Sequence, residues 1–189
     1  MGSDKLRRLV GWAAIIAPGL HSLTDVIEWV QGGFSPLQLA LNYVAFLALT
    51  VLLLGLHAVQ SGRAGWMSLL GALGYGFSFV YFAHTTLMAL ESGVPTYEDL
   101  WRHLGNAYTW QGALMVLGGV AFGIASLRAR VLSRSGCALF LAGLVVNLIV
   151  ALLPQPALVQ TIGTLIRNGG LIVMGCDVLA QPRPLVRGR

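Results

Sequence analysis

Long runs of apolar residues, separated by short polar segments, extend along the whole sequence. A transmembrane helix needs about 20 mostly apolar residues to cross the hydrocarbon core, and six runs reach that length. They cover residues 9–30, 36–59, 65–90, 106–127, 135–153 and 157–180. The pattern therefore predicts an all-α, polytopic membrane protein in which residues 1–189 form a single bundle of six transmembrane helices.

The composition agrees with a membrane location. Hydrophobic residues make up 56% of the chain and charged residues only 10%, whereas a soluble domain carries about 25% charged residues. So few charges could not cover the surface of a water-soluble domain, and so many apolar residues exclude an intrinsically disordered chain. The sequence therefore predicts an integral membrane protein.

The distribution of basic residues predicts the orientation of the bundle. With the N-terminus inside, ten of the 12 Lys and Arg residues fall in inner segments, as the positive-inside rule requires. They are Lys5, Arg7, Arg8, Arg63, Arg128, Arg130, Arg134, Arg183, Arg187 and Arg189. We expect a multi-pass protein of the cell membrane (the cytoplasmic membrane in a bacterium) with both termini in the cytoplasm. Because the charges lie in short segments, the net charge of +5 does not indicate a nucleic-acid partner.

Ionisable residues in the first apolar run mark a candidate site. A charged side chain at the bilayer centre costs about 2.5–3.5 kcal/mol on insertion scales, so it needs a structural or functional reason. His21, Asp25 and Glu28 follow the spacing i, i+4 and i+7, which places all three on one helix face. In the predicted orientation His21 falls near the midplane, and the two carboxyl groups fall in the outer half.

Polar and aromatic residues at similar depth occur in the other runs. The candidates for ligand binding are Trp29, Asn42, Tyr43, Tyr81, Glu91, Asn147, Arg167 and Asn168. Arg167 is the natural counter-ion of Asp25, because an unpaired guanidinium inside the membrane is costly. Together these residues predict a polar-lined pocket in the outer half that binds a small apolar molecule, such as a lipid or an isoprenoid, in contact with the membrane lipids.

Acid–base catalysis without a metal is the chemistry that this set favours. A carboxyl group in an apolar pocket can remain protonated and act as a general acid. Asp25 is the first candidate acid, Glu28 is the second carboxyl group, and His21 and His84 are their catalytic partners. Aromatic ring faces in the same half could stabilise a developing cation. The expected enzyme is a membrane-embedded isomerase or cyclase.

Two non-enzymatic functions stay open beside the enzyme. Buried Asp, His and Arg residues are the usual components of a proton relay, which would fit a proton-coupled carrier of small solutes. An accessory or assembly subunit of a membrane complex would also have this size and composition. No cofactor is predicted, since the sequence has no recognised metal-ligand spacing, and a single haem or zinc ion at His21 and His84 is the alternative.

Structural roles are the simpler interpretation of several candidates. Glu28 and Trp29 could anchor the first helix at the membrane interface, and Asp25 could fix the register of two helices. Asn42 and Asn147 could form hydrogen bonds between helices, as polar side chains in membrane bundles often do.

Glycines and one long loop complete the prediction. The third and fourth runs are rich in glycine, and Gly119 and Gly123 form a GxxxG pattern that favours close packing within the bundle or, as the alternative, a homo-oligomer. The segment 91–105 is the longest loop, and within it residues 97–102 are predicted to form a short amphipathic helix. We expect this loop to cover the mouth of the pocket.

Overall fold

The computed structural model describes residues 3–152 and 157–180, and every regular element within these ranges is an α-helix. These helices are α1 (Ser3–Gln31), α2 (Pro36–Ser92), α3 (Tyr97–Leu104), α4 (Asn106–Ala129), α5 (Arg134–Leu152) and α6 (Ala157–Ala180). The prediction of an all-α chain is confirmed. The predicted end of the fifth run at residue 153 lies outside the described residues, as do Arg183, Arg187 and Arg189.

Four helices of the described ranges, α1, α2, α4 and α6, are long and apolar enough to cross a membrane. Helix α5 carries a shorter apolar stretch, Arg134–Ile149. With 57 residues, α2 would be roughly 85 Å long if it were straight, far longer than the ~30 Å of the hydrocarbon core. The lengths and apolar composition are those of a multi-pass integral membrane protein.

Helix α2 is bent at Gly65, whose backbone angles are φ 64° and ψ −174°. The two arms, residues 36–64 and 66–92, fold back on each other. His57 Nδ1 lies 3.0 Å from Ser68 Oγ, and the rings of Phe46 and Phe79 are 5.3 Å apart. The predicted second and third runs are thus the two arms of one helical hairpin, joined by a bend rather than by a loop.

Gly65→Ala is expected to lower the free energy of unfolding by about 1–2 kcal/mol, because a Cβ is unfavourable at positive φ. A Cβ at this position would meet nothing within 4 Å, so the cost would arise from the backbone alone. Gly62→Ala is the matched control, since it also has open space and lies within the helix. Thermal melting in detergent measures the stability of both variants. If Gly65→Ala and Gly62→Ala melted at the same temperature, the bend would not depend on a glycine at position 65.

The helices form a closed ring of neighbours. Helix α1 packs against α2, α2 against α4, α4 against α5, α5 against α6, and α6 against α1. Large side chains fill the interior, and the fully buried ones include Leu49, Tyr75, Phe79, Phe122, Phe140, Leu144 and Met174. The ring brings the first and last helices side by side although they are far apart in the sequence. The contact between α1 and α6 assembles the candidate site.

The GxxxG pattern of α4 packs against another helix of the same chain. A Cβ added at Gly119 would lie 2.7 Å from the side chain of Leu144, and one at Gly123 would lie 2.6 Å from that of Leu141. Both leucines belong to α5, so this face of α4 is covered by the neighbouring helix. The homo-oligomer stays a prediction, and it would have to use another surface.

The short helix predicted for residues 97–102 is confirmed and continues to Leu104. Thr96 is its N-cap, because the Thr96 hydroxyl accepts a hydrogen bond from the backbone nitrogen of Asp99 at 3.2 Å. Leu100 is buried against residues from both ends of α2. Helix α3 is therefore fixed to the hairpin at the end where the candidate site lies.

Candidate functional site

His21 is the centre of a polar cluster between α1 and α6, and it is only 5% exposed. Its Nδ1 atom lies 3.2 Å from Asn168 Nδ2 and 3.5 Å from Arg167 Nη2. Both of these nitrogens are donors, so Nδ1 is the acceptor and the ring proton is on Nε2. Nε2 faces Asp25 Oδ1 at 3.4 Å. His21 therefore joins α6 to the Asp25 carboxylate in one fixed tautomer.

Arg167 is buried on α6, with 2% of its surface exposed. Its Nη1 atom lies 3.4 Å from Met115 Sδ, and its Cζ atom lies 5.9 Å from the centre of the Phe79 ring. Its Nε atom has no hydrogen-bond partner among the described residues. The guanidinium is thus held by a thioether, an aromatic ring and the imidazole of His21, and its hydrogen-bonding capacity is only partly used.

Asp25 and Arg167 form no direct ion pair. Asp25 pairs with His21, and the imidazole lies between the carboxylate and the guanidinium. The role of Arg167 as counter-ion of Asp25 stays a prediction, because the spacing along α6 does not reveal how that helix is rotated towards α1. The two charged groups still face the same ring, so each charge acts on the other across the imidazole.

Side chains of α1 and α6 hold the Asp25 carboxylate, and α2 supports the neighbouring residue. Its side chain is 16% exposed, and it shares a hydrogen bond with the side chain of Thr164 on α6. The neighbouring Thr24 donates a hydrogen bond from Oγ1 to Asn42 Oδ1 at 3.1 Å, which ties α1 to the first arm of α2. Asn42, predicted as a ligand-binding residue, therefore supports the site from the next helix and does not contact Asp25 directly.

The cluster continues from Asp25 towards α3. Glu28 interacts electrostatically with Asp25 and with Tyr97. The Tyr97 phenol is hydrogen-bonded to Tyr108 and Gln160, and the two tyrosine rings are 5.7 Å apart. Burial raises the pKa of the Tyr97 phenol, so this side chain keeps its proton at neutral pH. Residues from four helices, α1, α3, α4 and α6, meet at this end.

Four of these contributors were not among the sequence candidates: Gln160, Thr164, Tyr97 and Tyr108. Gln160 and Thr164 precede Arg167 by seven and three residues, so they lie on its helix face. This stripe on α6 repeats the spacing of the ionisable stripe on α1 and could have been found in the sequence. Tyr97 carried no such signal, because it begins the separate short helix α3 and shares no helix face with the residues of α1 or α6.

Three predicted residues are exposed and lie apart from the cluster. His84 and Glu91 are exposed on α2, and Trp29 is 48% exposed on α1. The spacing of His84 and Glu91 showed that they share a face, but it could not show that this face points outwards. The geometry therefore does not support His84 as a catalytic partner of His21, or a haem or zinc site shared by the two histidines.

The remaining candidates surround the site at its edges. Tyr81 is half-buried, and its ring lies 6.4 Å from that of Tyr108. Tyr43 is half-buried on α2. Asn147 of α5 is directed at α6, where its Oδ1 lies 3.0 Å from the position that a Cβ on Gly163 would take. That oxygen is buried without a partner among the described residues.

Aromatic rings close the space around His21. The ring of Phe46 lies 4.8 Å from the imidazole and that of Phe79 lies 6.1 Å from it, both edge-on. Two pockets on the described surface do not include residues of the cluster. One, of about 280 Å³, lies between the ends of α2 and the loop before α3, and the other lies between α4 and α5. His21, Arg167 and Asn168 are at most 5% exposed, so this part of the cluster is packed. The ligand pocket in the outer half stays a prediction.

No known protein family, curated protein or solved structure matches this chain. Among the described residues, no three His, Cys, Asp or Glu side chains are grouped so as to hold a metal ion. The cluster instead offers neighbouring protonatable groups, His21, Asp25 and Glu28, beside the fixed positive charge of Arg167. Such an arrangement can bind, hold and pass a proton.

Proposed function

We propose that this chain is a proton-coupled carrier of small solutes, with six membrane spans and both termini in the cytoplasm. The observation that carries the proposal is the contact of His21 Nε2 with Asp25 Oδ1 at 3.4 Å inside the bundle. Buried ionisable residues in membrane helices are typical of proton relays and coupling sites. The excess of basic residues in the predicted inner segments supports the orientation.

Asp25 is the proton-binding group in this proposal. When its carboxylate is ionised, the negative charge balances the guanidinium of Arg167 across the imidazole of His21. Protonation of Asp25 removes this negative charge and leaves a buried cation without compensation, which is unfavourable in a medium of low dielectric constant. The protonated state therefore favours a rearrangement of α1 against α6, and solute binding to one arrangement makes transport depend on protons.

The neighbouring groups guide the proton to Asp25. Glu28 lies between Asp25 and the tyrosine pair near α3, so it is placed to exchange protons with the outer surface. Asn168 donates to Nδ1 of His21, at 3.2 Å, and thereby keeps the ring proton on Nε2, facing Asp25. Tyr97 covers the end of this path while its phenol remains bonded to Tyr108 and Gln160.

Infrared difference spectra of the protein in liposomes, recorded as a function of pH, test the proton-binding role. Wild-type protein is expected to show the carbonyl band of a protonated carboxyl group, which grows as the pH falls and which Asp25→Asn removes. His84→Gln is the control, because His84 is exposed, and it should leave the band unchanged. Identical spectra for wild type and Asp25→Asn would contradict the proposal.

A second experiment measures proton movement directly. Pyranine enclosed in the liposomes reports proton entry when valinomycin sets up a potassium diffusion potential. With the solute that the carrier transports, proton entry is expected for the wild type, and Asp25→Asn should reduce it to the rate of protein-free liposomes. Solute uptake that is insensitive to the pH gradient would exclude proton coupling.

The aromatic rings favour a second function, an acid–base enzyme acting on a small lipid-like or isoprenoid-like molecule. Phe46 and Phe79 adjoin His21, and ring faces can stabilise a cation formed when Asp25 protonates such a substrate. Native mass spectrometry in mild detergent distinguishes the functions. A retained isoprenoid that wild type converts and Asp25→Asn does not would favour the enzyme. A partner protein that co-purifies with both forms would favour an accessory subunit.

A further inference from the structure

Three arginines line a depression at the end of the bundle opposite to α3. Arg128 lies in the last turn of α4, Arg130 is the C-cap of that helix, and Arg134 begins α5. Together with Ile124 and Leu127 they surround a volume of about 580 Å³ that is open to the surroundings. We call these five residues the arginine groove. Two of its five lining residues are apolar and three carry a positive charge.

The three guanidinium groups have no partner in the described part of the chain. All three side chains are exposed, and none of them forms a hydrogen bond or an ion pair there. The carboxylate of Asp177 on α6 is close in the fold, but it accepts the backbone N–H of Ser133 at 2.8 Å. None of the three arginines therefore forms an ion pair with Asp177 or with another described residue.

Arg130 adopts a backbone conformation that is unfavourable for its residue type. It caps the C-terminus of α4 with φ 55° and ψ 32°, the left-handed region in which glycine is the usual residue. Among the described residues it is the only one other than glycine with a positive φ. A helix end of this geometry would be more stable with glycine, so helix capping does not explain why the residue is an arginine.

We propose that the arginine groove binds the headgroup of an anionic phospholipid. Guanidinium groups bind phosphate oxygens through paired hydrogen bonds, and basic pockets at the cytoplasmic ends of membrane helices bind anionic lipids. Ile124 and Leu127 lie about one turn further into α4, where the acyl chains of a bound lipid would contact them. The groove thus matches both parts of the lipid, the phosphate and the chains.

The groove differs from a general excess of basic residues on this side. Arg63 near the bend of α2 lies at the same end of the bundle, because Gln60 donates a hydrogen bond to Ser126 of α4 at 2.7 Å. It is also exposed, but it does not line the groove. A general electrostatic attraction would use Arg63 as much as Arg130, whereas a specific site would not.

Native mass spectrometry of the full-length protein in mild detergent, with added phosphatidylglycerol or phosphatidylcholine, tests the proposal. The wild type is expected to retain phosphatidylglycerol in preference. Arg130→Gly should lower the association constant for phosphatidylglycerol about fivefold, the value of one arginine at a membrane surface. Replacing all three arginines by glutamine should lower it about a hundredfold.

The controls separate binding from folding and from simple charge. Glycine suits the backbone of residue 130, so Arg130→Gly should melt at the wild-type temperature or above and remains informative if the triple variant does not fold. Arg63→Gln should leave the association constant for phosphatidylglycerol unchanged. Glycerol phosphate, added as a headgroup without chains, should compete only weakly, and full displacement by it would indicate a free phosphate compound as ligand instead. Equal retention of both lipids, or equal losses for Arg63→Gln and Arg130→Gly, would overturn the proposal.

Discussion

Gly170→Ala is expected to lower the free energy of unfolding by about 3 kcal/mol, the upper end of the usual range for an overpacked core. A Cβ at this position on α6 would overlap the backbone nitrogen of Phe140 on α5 and would lie 2.7 Å from the carbonyl oxygen of Gly136. Backbone atoms of a packed helix cannot move aside as a flexible side chain can. The two helices would therefore have to separate along their contact.

The adjacent glycine provides the control. Gly169 lies in the same helix, and a Cβ there would meet nothing within 4 Å. Because alanine favours the helix over glycine by up to about 1 kcal/mol, Gly169→Ala should leave the stability unchanged or raise it. Titration from mild detergent into sodium dodecyl sulfate, followed by circular dichroism, measures both variants. Equal losses at positions 169 and 170 would contradict the close crossing of α5 and α6.

This crossing also positions the candidate site. A Cβ on Gly143 of α5 would lie 2.5 Å from the Cα atom of Arg167, so the helix that carries the guanidinium rests directly on α5. Any residue that separates α5 from α6 shifts Arg167 relative to His21 on α1. We therefore expect small residues at this crossing to be needed for the site as well as for stability.

The sequence predicted the part of the site that lies on single helices. The spacing of His21 and Asp25 placed them on one face of α1, and the structure brings them to 3.4 Å. The cost of burying Arg167 predicted that it would face the bundle interior, and it does. Such statements are reliable because helical periodicity fixes which side chains share a face.

The sequence could not predict how the helices are rotated towards one another. His84 is exposed, although its neighbours in the sequence, Ala83 and Thr85, are buried. A helix rotated by one residue position would bury His84 instead. In a membrane bundle both faces of a helix have apolar surroundings, so the sequence has no amphipathic pattern that would fix this rotation. For the same reason the sequence did not reveal that Tyr97 of α3 reaches Gln160 of α6.

Arg167→Met is expected to destabilise the protein by about 3 kcal/mol, because it leaves the Asp25 carboxylate in the bundle without its compensating cation. Asp25→Asn alone leaves the opposite charge uncompensated. In the double variant neither charge remains, so its loss of stability should be smaller than the sum of the two single losses. We expect the difference, measured by the same titration, to lie between about 0.5 and 3 kcal/mol, towards the upper limit.

The exposed ion pair on α3 is the matched control for this cycle. Arg102 Nη2 lies 2.6 Å from Glu98 Oε1, and the two side chains are 73% and 75% exposed. Coupling between Arg102→Met and Glu98→Gln should be about 0.2–1 kcal/mol and should fall with added salt. Asp25 and Arg167 do not touch, so a larger coupling between them must act across the imidazole of His21. Coupling no larger than that of the exposed pair would mean that protonation of Asp25 does not alter the environment of Arg167, and the proposed link between proton binding and rearrangement would be lost.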